Sequence, residues 1–336
     1  MIENSNYWIL KNKIIFKPNF NDNLDNFYDL ISKYNELIFS DYDNLDIFFK
    51  TNNKYYKKYE NYYIGSKFNN DIQLHENLER LVLGKKFNQP IKLNKHLLYL
   101  TLNVDFNKPI ILNEKITYLT FNLNFNQSII LNNNLLNLTF GWNFNRPILL
   151  NKKLKELTFG WSFNHPIILN ENLKQLTFGY NFNHPIILNE NLTHLTLGHN
   201  FNQLITLNEN LTHLTLGNNF NQKIDLPNCI KYLEIDSNLS DLIDHLPNSL
   251  EELLLGDYFN LELNNLPNSL KIIKFNTYSK YNKELNNLPD SVQVLELGSY
   301  YNFPILNLPN NLKKIKLSED YIFIKYFIGK YEIEFN

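Results

Sequence analysis

Residues 163–180 read FNHPIILNENLKQLTFGY, and residues 182–199 read FNHPIILNENLTHLTLGH. The Phe-Asn pair that opens both stretches returns every 19 residues. Its phenylalanines are Phe87, Phe106, Phe125, Phe144, Phe163, Phe182, Phe201 and Phe220. Phe68–Asn69 fits one step before this series. A fixed period near 20 residues is typical of a solenoid, in which each repeat forms one coil that stacks on its neighbours. The spacing therefore predicts one repeated architecture instead of separate globular domains.

Each coil carries the apolar pattern Leu-x-x-Leu-x-Leu, as at Leu173, Leu176 and Phe178. The last two residues alternate with an outward residue, as in a strand with one buried face. A helical crossover between parallel strands needs about a dozen residues or more. The return segment, which is the part of each coil outside the strand, is only about a dozen residues long. A proline such as Pro166 interrupts it. The predicted fold is therefore mostly β, with one short parallel strand per coil of 19–22 residues and an extended or turn-like return side with little helix.

Two further repeat positions predict how neighbouring coils turn and join. A glycine such as Gly160 follows the strand in the central coils, and we expect it to adopt a positive φ. The asparagine after the repeat phenylalanine, such as Asn164, is expected to bond backbone groups of its own coil and the next.

The two ends of the chain depart from the regular repeat. We predict an N-terminal cap at residues 1–67, a repeat solenoid at 68–317 and a C-terminal cap at 318–336. Helical spacing predicts a short helix within residues 23–34. Tyr331, Ile333 and Phe335 alternate like a last strand. Degenerate coils with strands are expected in the N-terminal cap around Ile14 and Phe16, Leu37 and Phe39, and Tyr59, Tyr62 and Ile64.

The recurring Phe-Asn-x-Pro-Ile motif, together with Leu-Pro-x-Ser-Leu from residue 246 onward, resembles the FNIP repeat, a short relative of the leucine-rich repeat. The resemblance covers roughly residues 68–317, and Phe163, Asn164, Pro166 and Ile167 match it position by position. It implies a leucine-rich-repeat-like solenoid. Similar proteins are encoded by giant viruses of amoebae and by social amoebae, whose AT-rich genomes agree with the absence of alanine here. A cytoplasmic location, in the host cell if the chain is viral, is the corresponding expectation.

Many proteins that resemble this one carry an N-terminal F-box, which would dock a ubiquitin-ligase adaptor. Residues 1–67 lack the opening motif of an F-box. A substrate-recognition subunit of a ubiquitin ligase therefore stays an alternative that rests on the resemblance alone. A second alternative is an expanded repeat array with little individual function, because the coils at 163–199 are nearly identical.

Composition and motifs argue against several other classes of function. The chain balances 32 basic against 34 acidic residues, which does not favour nucleic acid as a partner. It shows no signal peptide and no apolar run long enough for a membrane span. Common catalytic and nucleotide-binding motifs are absent, and the single cysteine, Cys229, is expected to pack like a serine. We predict no enzyme activity, no cofactor and no metal, because the neighbouring pair His194 and His213 offers too few ligands.

The surface expected to bind a protein partner is the exposed face of the sheet. If the repeat phenylalanine is position 1, position 15 is a uniform threonine row, whereas positions 13 and 18 vary from coil to coil. Varied residues on a uniform frame are typical of a recognition surface. A purely structural aromatic ladder is the alternative interpretation. The candidate partner-binding residues are Trp142, Trp161, Tyr180, His199, Glu156, Gln175, His194 and His213.

Overall fold

Short strands recur at the repeat spacing, as the alternating apolar residues predict. The structure, a computed structural model, describes residues 2–52 and 57–335, without the side chains of Lys57, Tyr59 and Glu60. The parts of the predicted caps at residues 1, 53–56 and 336 lie outside the described residues.

The chain divides into two compact units, Met1–Leu173 and Lys174–Asn336, called here the N-terminal and the C-terminal unit. The predicted boundaries after residues 67 and 317 stay predictions. Among the described residues, no helix has the length and apolar character needed to cross a bilayer.

The strands of the N-terminal unit are β1 Ile2–Glu3, β2 Tyr7–Leu10, β3 Lys13–Phe16, β4 Glu36–Phe39, β5 Arg80–Leu83, β6 Tyr99–Leu102, β7 Tyr118–Phe121, β8 Asn137–Thr139 and β9 Glu156–Thr158. β1, β2 and β3 pair antiparallel. From β3 to β9 each strand pairs in parallel with the next one along the chain. The antiparallel strands cover the edge that β3 would otherwise expose.

The strands of the C-terminal unit are β10 Gln175–Thr177, β11 His194–Thr196, β12 His213–Leu216, β13 Tyr232–Ile235, β14 Glu252–Leu255, β15 Ile272–Phe275, β16 Val294–Glu296, β17 Lys314–Leu317 and β18 Glu332–Phe335. All of them pair in parallel in chain order. β18 confirms the strand predicted from the alternation near residue 333, since Ile333 lies opposite Ile315.

Helical segments among the described residues are short: α1 Tyr28–Ile31, α2 Leu45–Thr51, α3 Ser240–Ile243, and 3₁₀ turns at Leu24–Phe27, Lys57–Tyr62 and Ile324–Tyr326. The helix predicted within residues 23–34 is confirmed. It begins after Asn23, whose Oδ1 accepts the Asp25 N–H at 2.9 Å, as expected of an N-cap residue.

Each coil buries its three strand-side apolar residues and its repeat phenylalanine. In one central coil Leu154, Leu157 and Phe159 are at most 1% exposed. The Phe144 and Phe163 rings of successive coils stack with centroids 6.1 Å apart. Burying one such side chain stabilises the fold by about 1.5–3 kcal/mol, so the repeated core holds neighbouring coils together.

Asparagine side chains join the coils outside the sheet. The side-chain oxygen of Asn145 accepts the Asn164 N–H of the following coil at 3.0 Å, which confirms the predicted link between coils. A second asparagine row, at position 8, was not predicted from the sequence. The Asn132 Nδ2 donates to the carbonyls of Asn113 at 2.6 Å and Ile116 at 3.0 Å, while its Oδ1 accepts the Asn134 N–H at 3.0 Å.

The repeat glycines do not adopt the positive φ that the sequence analysis predicted. Among the described glycines that conformation occurs at Gly65 and Gly329. The repeat glycines are needed for another reason, since a Cβ added to Gly160 would overlap the carbonyl group of Gly141 in the preceding coil. Close approach of two backbones therefore explains glycine here.

Gly160→Ala is expected to lower the free energy of unfolding by about 2 kcal/mol, because the added Cβ overpacks against backbone. It should also disturb the near-ultraviolet circular dichroism of the adjacent tryptophans. Gly329→Ala is the control, since nothing lies within 4 Å of its added Cβ. Strain at its positive φ should cost about 1 kcal/mol, with no change in the tryptophan signal. Wild-type stability and spectrum in Gly160→Ala would contradict the close-approach explanation.

The strand expected around Tyr62 and Ile64 was a wrong prediction. Residues Lys57–Tyr62 form a 3₁₀ turn, and β4 pairs directly with β5, with Leu37 opposite Leu81. No position in the sheet is therefore left for a strand between them. Residues 40–67 form an insertion containing α2, and Phe68 resumes the coil by stacking on Phe39 with centroids 4.1 Å apart.

A buried carboxylate anchors this insertion to the neighbouring coils. Asp41 is 1% exposed. Its Oδ1 accepts the N–H groups of Ser66 at 2.7 Å and Lys85 at 2.8 Å, and its Oδ2 accepts the Asn103 Nδ2 at 2.9 Å. One side chain thus joins the beginning of the insertion, its end and two later coils.

Candidate functional site

The sheet face of the N-terminal unit presents stacked aromatic side chains at position 13. Tyr99 and Tyr118 begin β6 and β7, are 40% and 41% exposed, and stack with centroids 4.7 Å apart. Asn137 and Glu156 occupy the same position in β8 and β9, and Glu156 is exposed. The in-register strands thus place changing side chains on one line, beside the threonine row of position 15.

Trp142 and Trp161 form a second exposed pair, at position 18. Their rings are parallel within 1°, with centroids 4.6 Å apart, and they are 48% and 38% exposed. Each tryptophan directly follows a glycine, Gly141 or Gly160, whose backbones approach closely. The missing Cβ atoms therefore bring the two indoles to stacking distance, and both keep part of their surface exposed.

In the C-terminal unit the predicted residues form two further stacked pairs. Tyr180 and His199 have centroids 4.3 Å apart, and His194 and His213 have centroids 4.0 Å apart. The remaining candidate, Gln175, begins β10 and is exposed. The structure thus gathers the candidates of each unit into rows, as in-register stacking predicts.

A tyrosine and a carboxylate continue the histidine row. Tyr232 stacks on His213 with centroids 5.6 Å apart and donates to the Glu234 Oε2 at 3.1 Å. Burial, followed by the charge of Glu234, raises the pKa of the Tyr232 hydroxyl well above its usual value. Tyr232 therefore stays a neutral donor and offers no acid–base chemistry near pH 7.

Cys229 takes the place of a serine, as the sequence analysis expected. Its Sγ donates to the Leu211 carbonyl at 3.0 Å. Ser249 bonds the Ile230 carbonyl at 2.7 Å in the same way. Burial raises the pKa of the Cys229 thiol, which disfavours the thiolate that a nucleophile needs.

No cluster of metal-ligating side chains forms in the part of the chain that the structure describes. Within it, no three His, Cys, Asp or Glu side chains converge in a way that could hold a metal ion. An open cleft of about 590 Å³ beside α3 is lined by Asp225, Asp241 and His245 among others. The His245 Nδ1 lies 2.8 Å from the Asp241 carbonyl oxygen, so this ring is hydrogen-bonded within its own helical turn.

Sequence reasoning missed a row of exposed tyrosines in the later coils. Tyr258, Tyr278 and Tyr300 are 61–68% exposed. Each stands three residues after the last apolar residue of the Leu-x-x-Leu-x-Leu pattern of its coil, which is Leu255, Phe275 or Leu297. Their recurrence at this constant offset was the signal available in the sequence.

Comparisons with known proteins agree with this architecture. The FNIP repeat family matches residues 201–238, 241–278 and 281–320. The solved structure of CroV588, described as a novel circular leucine-rich-repeat protein, is 29% identical with a TM-score of 0.60, covering 94% of this chain and 58% of its own. YopM from Yersinia enterocolitica WA-314 is 19% identical with a TM-score of 0.54, covering 75% of this chain and 58% of its own. A search of curated proteins finds no match.

These similarities concern the repeat sequence and the fold. The chain spans 58% of the length of each of these two structures. The family match begins at residue 201 and so covers the later part of the range, roughly 68–317, over which the sequence resemblance was noted. The chain therefore carries FNIP repeats in residues 201–320, and its fold is that of the leucine-rich-repeat solenoids.

Proposed function

We propose that the chain is a non-catalytic protein-binding scaffold whose partner lies along the sheet face. Leucine-rich-repeat-like solenoids commonly serve as interaction scaffolds. The observation that carries the proposal is the exposed Trp142–Trp161 pair. Tryptophan and tyrosine supply large, rigid contact area and are enriched among residues that dominate binding energy.

The position of this pair favours recognition over a purely structural role. The core is already filled by the phenylalanine rows, and both indoles leave a large part of their surface in water. A solvent-exposed aromatic row adds little to folding, whereas a partner that covers it removes that apolar area from water. No observation favours docking of a ubiquitin-ligase adaptor, so that role is not proposed.

Trp142→Ala/Trp161→Ala is expected to weaken partner retention at least about tenfold, as for residues that dominate an interface. The measurement is quantitative mass spectrometry of proteins retained by the immobilised chain from cells in which it naturally occurs. Circular dichroism should show an unchanged fold.

Tyr28→Ala/Tyr62→Ala is the matched control, because these side chains are 47% and 51% exposed in the same unit, away from the proposed face. It should retain the same proteins as the wild type. Equal retention by both double variants would refute the sheet face as the binding surface. A wild type that retains nothing above an unrelated bait would favour the repeat array with little individual function.

A further inference from the structure

The return side of the N-terminal unit carries an apolar band that plays no part in the proposed function. In four successive coils positions 4–8 read PIILN, SIILN, PILLN and PIILN, without a charged residue. The residue at position 6 is 88–89% exposed in all four, and these residues, called here the aliphatic ridge, are Ile111, Ile130, Leu149 and Ile168. Single exposed aliphatic residues are ordinary, but a contiguous row of them marks an interaction surface.

The surface of the band is not flat. Position 5 turns inward, with Ile110, Ile148 and Ile167 only 8–9% exposed. The prolines at position 4 are exposed and the leucines at position 7 half-buried. The aliphatic ridge therefore runs beside a shallow groove above position 5. Because β6 to β9 pair in register, successive ridge residues should recur at about 4.8 Å.

Polar residues occupy position 6 in the coils before and after the apolar ones. The same position is Gln73 and Lys92 in the two preceding coils. In the C-terminal unit it is Ile187, and then Thr206 and Asp225. An apolar centre between polar flanks has the composition of an interface core and its rim.

We propose that the aliphatic ridge is a dimerisation face, covered by the same ridge of a second copy of this chain. A two-fold axis parallel to the ridge would set the two ridges against each other along their length. Such an isologous contact is self-complementary, because both surfaces carry the same coil spacing. A foreign protein would need an apolar row with that same spacing to match the ridge along its length.

The charges beside the band favour this parallel arrangement over the antiparallel one. In the parallel arrangement position 3 of one copy faces position 9 of the other, so Lys108 meets Glu114 and His165 meets Glu171. The antiparallel arrangement would instead place Glu114 against Glu171, and like charges in contact are unfavourable.

One pair opposes the parallel arrangement. Arg146 would face Lys152, both of them exposed. The Arg146 Nε already donates to the Asn126 carbonyl at 3.1 Å, which holds the guanidinium against the preceding coil.

The size of the band indicates a weak dimer. Four coils and five residues of extended chain cover roughly 300 Å² in projection. That lies within the range of the largest apolar patches of monomers, which are often functional, at about 300–600 Å². It is smaller than the roughly 800 Å² per partner of a stable standard interface. Dissociation in the micromolar range is therefore expected.

Analytical ultracentrifugation of the whole chain tests the proposal over about 1–100 µM, where interfaces of this size associate. The wild type should show a concentration-dependent monomer–dimer equilibrium. Ile130→Ser/Leu149→Ser should weaken it at least about tenfold. The control Thr139→Ser/Thr158→Ser changes the same two coils on the sheet face, away from the ridge, and should dimerise like the wild type.

Disulfide crosslinking tests how the two ridges align in the dimer. The experiment uses the Cys229→Ser variant, which lacks the natural cysteine. Leu149→Cys should then form an intermolecular disulfide under mild oxidation, because the axis places this position near its counterpart. Asn133→Cys, outside the band, should crosslink far less.

A wild type that stays monomeric throughout, or a ridge variant that dimerises unchanged, would overturn the proposal. Ile111→Ser/Ile168→Ser repeats the test at the ends of the ridge, should the central variant misfold. Trp142→Ala/Trp161→Ala should leave dimerisation unchanged, so this proposal and the proposed sheet-face function can fail independently.

Discussion

Asp41→Ala is expected to lower the free energy of unfolding of the N-terminal unit by about 4 kcal/mol, because it leaves three donors, two of them buried, without their acceptor. These donors are the N–H groups of Ser66 and Lys85 and the side-chain amide of Asn103. Ser66 and Asn103 are almost completely buried, so water cannot readily replace the carboxylate. Urea unfolding followed by circular dichroism measures the loss.

Asp41→Asn is the matched comparison. Its side-chain oxygen can still accept the Ser66 and Lys85 N–H groups, while its new amide would face the amide of Asn103. The expected loss is about 1–2 kcal/mol, that of one mismatched buried bond. If Asp41→Ala unfolds within 1 kcal/mol of the wild type, the carboxylate is not the anchor of the insertion.

The same pair of variants tests the electrostatics of the site. Burial raises the pKa of Asp41 to about 6, although the hydrogen bonds from Ser66, Lys85 and Asn103 favour the charged form. The pKa in the unfolded chain is about 4, so the folded state holds the proton more tightly. This contribution to stability is full below about pH 4 and is lost as the pH rises to about 6.

The loss across this pH window should be roughly 2–3 kcal/mol, from about two pKa units. Asp41→Asn does not titrate, so the difference between wild type and variant should change with pH over this window. Parallel stability curves for the two proteins between pH 4 and pH 7 would show that Asp41 has an ordinary pKa.

Asn132→Asp is expected to cost about 3 kcal/mol at pH 7, although it barely changes the shape of the side chain. It replaces the amide that donates to the Asn113 and Ile116 carbonyls by a carboxylate oxygen that faces them. Asn132 is 6% exposed, so this repulsion is poorly screened. Urea unfolding measures the effect.

Asn133→Asp is the control, because the adjacent side chain is exposed. It should change the free energy of unfolding by no more than about 0.5 kcal/mol, as is usual for surface substitutions. Equal stabilities of the two variants would mean that the position-8 asparagines are a feature of the repeat without a bonding role.

The strand pattern was predictable because it is local. In Leu173, Leu176 and Phe178 the spacing alone separates inward from outward residues, and the structure buries all three. The rows of candidate binding residues were predictable for the same reason. Trp142 and Trp161 share position 18 of the repeat, and coils that stack in register bring the same repeat position of neighbouring coils together. Whether they bind a partner stays a proposal.

The errors and omissions concern contacts between coils. Gly160 looked like a turn residue, but its role depends on the distance to Gly141 in the preceding coil. Tyr62 and Ile64 fitted the apolar spacing, yet direct pairing of β4 with β5 left them outside the sheet. Neither the distance between neighbouring backbones nor the exclusion of one segment from the sheet is encoded in the spacing of single residues.

The sequence by itself determined that the chain forms stacked coils with short parallel strands, because a 19-residue period and alternating apolar residues admit few other arrangements. The tertiary structure decided which side chains each coil uses to hold its neighbour, and which apolar residues stay in water. Ile167 and Ile168 are adjacent and chemically identical, yet one is 9% exposed and the other 88%. The path of the irregular return segment decides this difference, because its backbone follows neither helical nor strand periodicity.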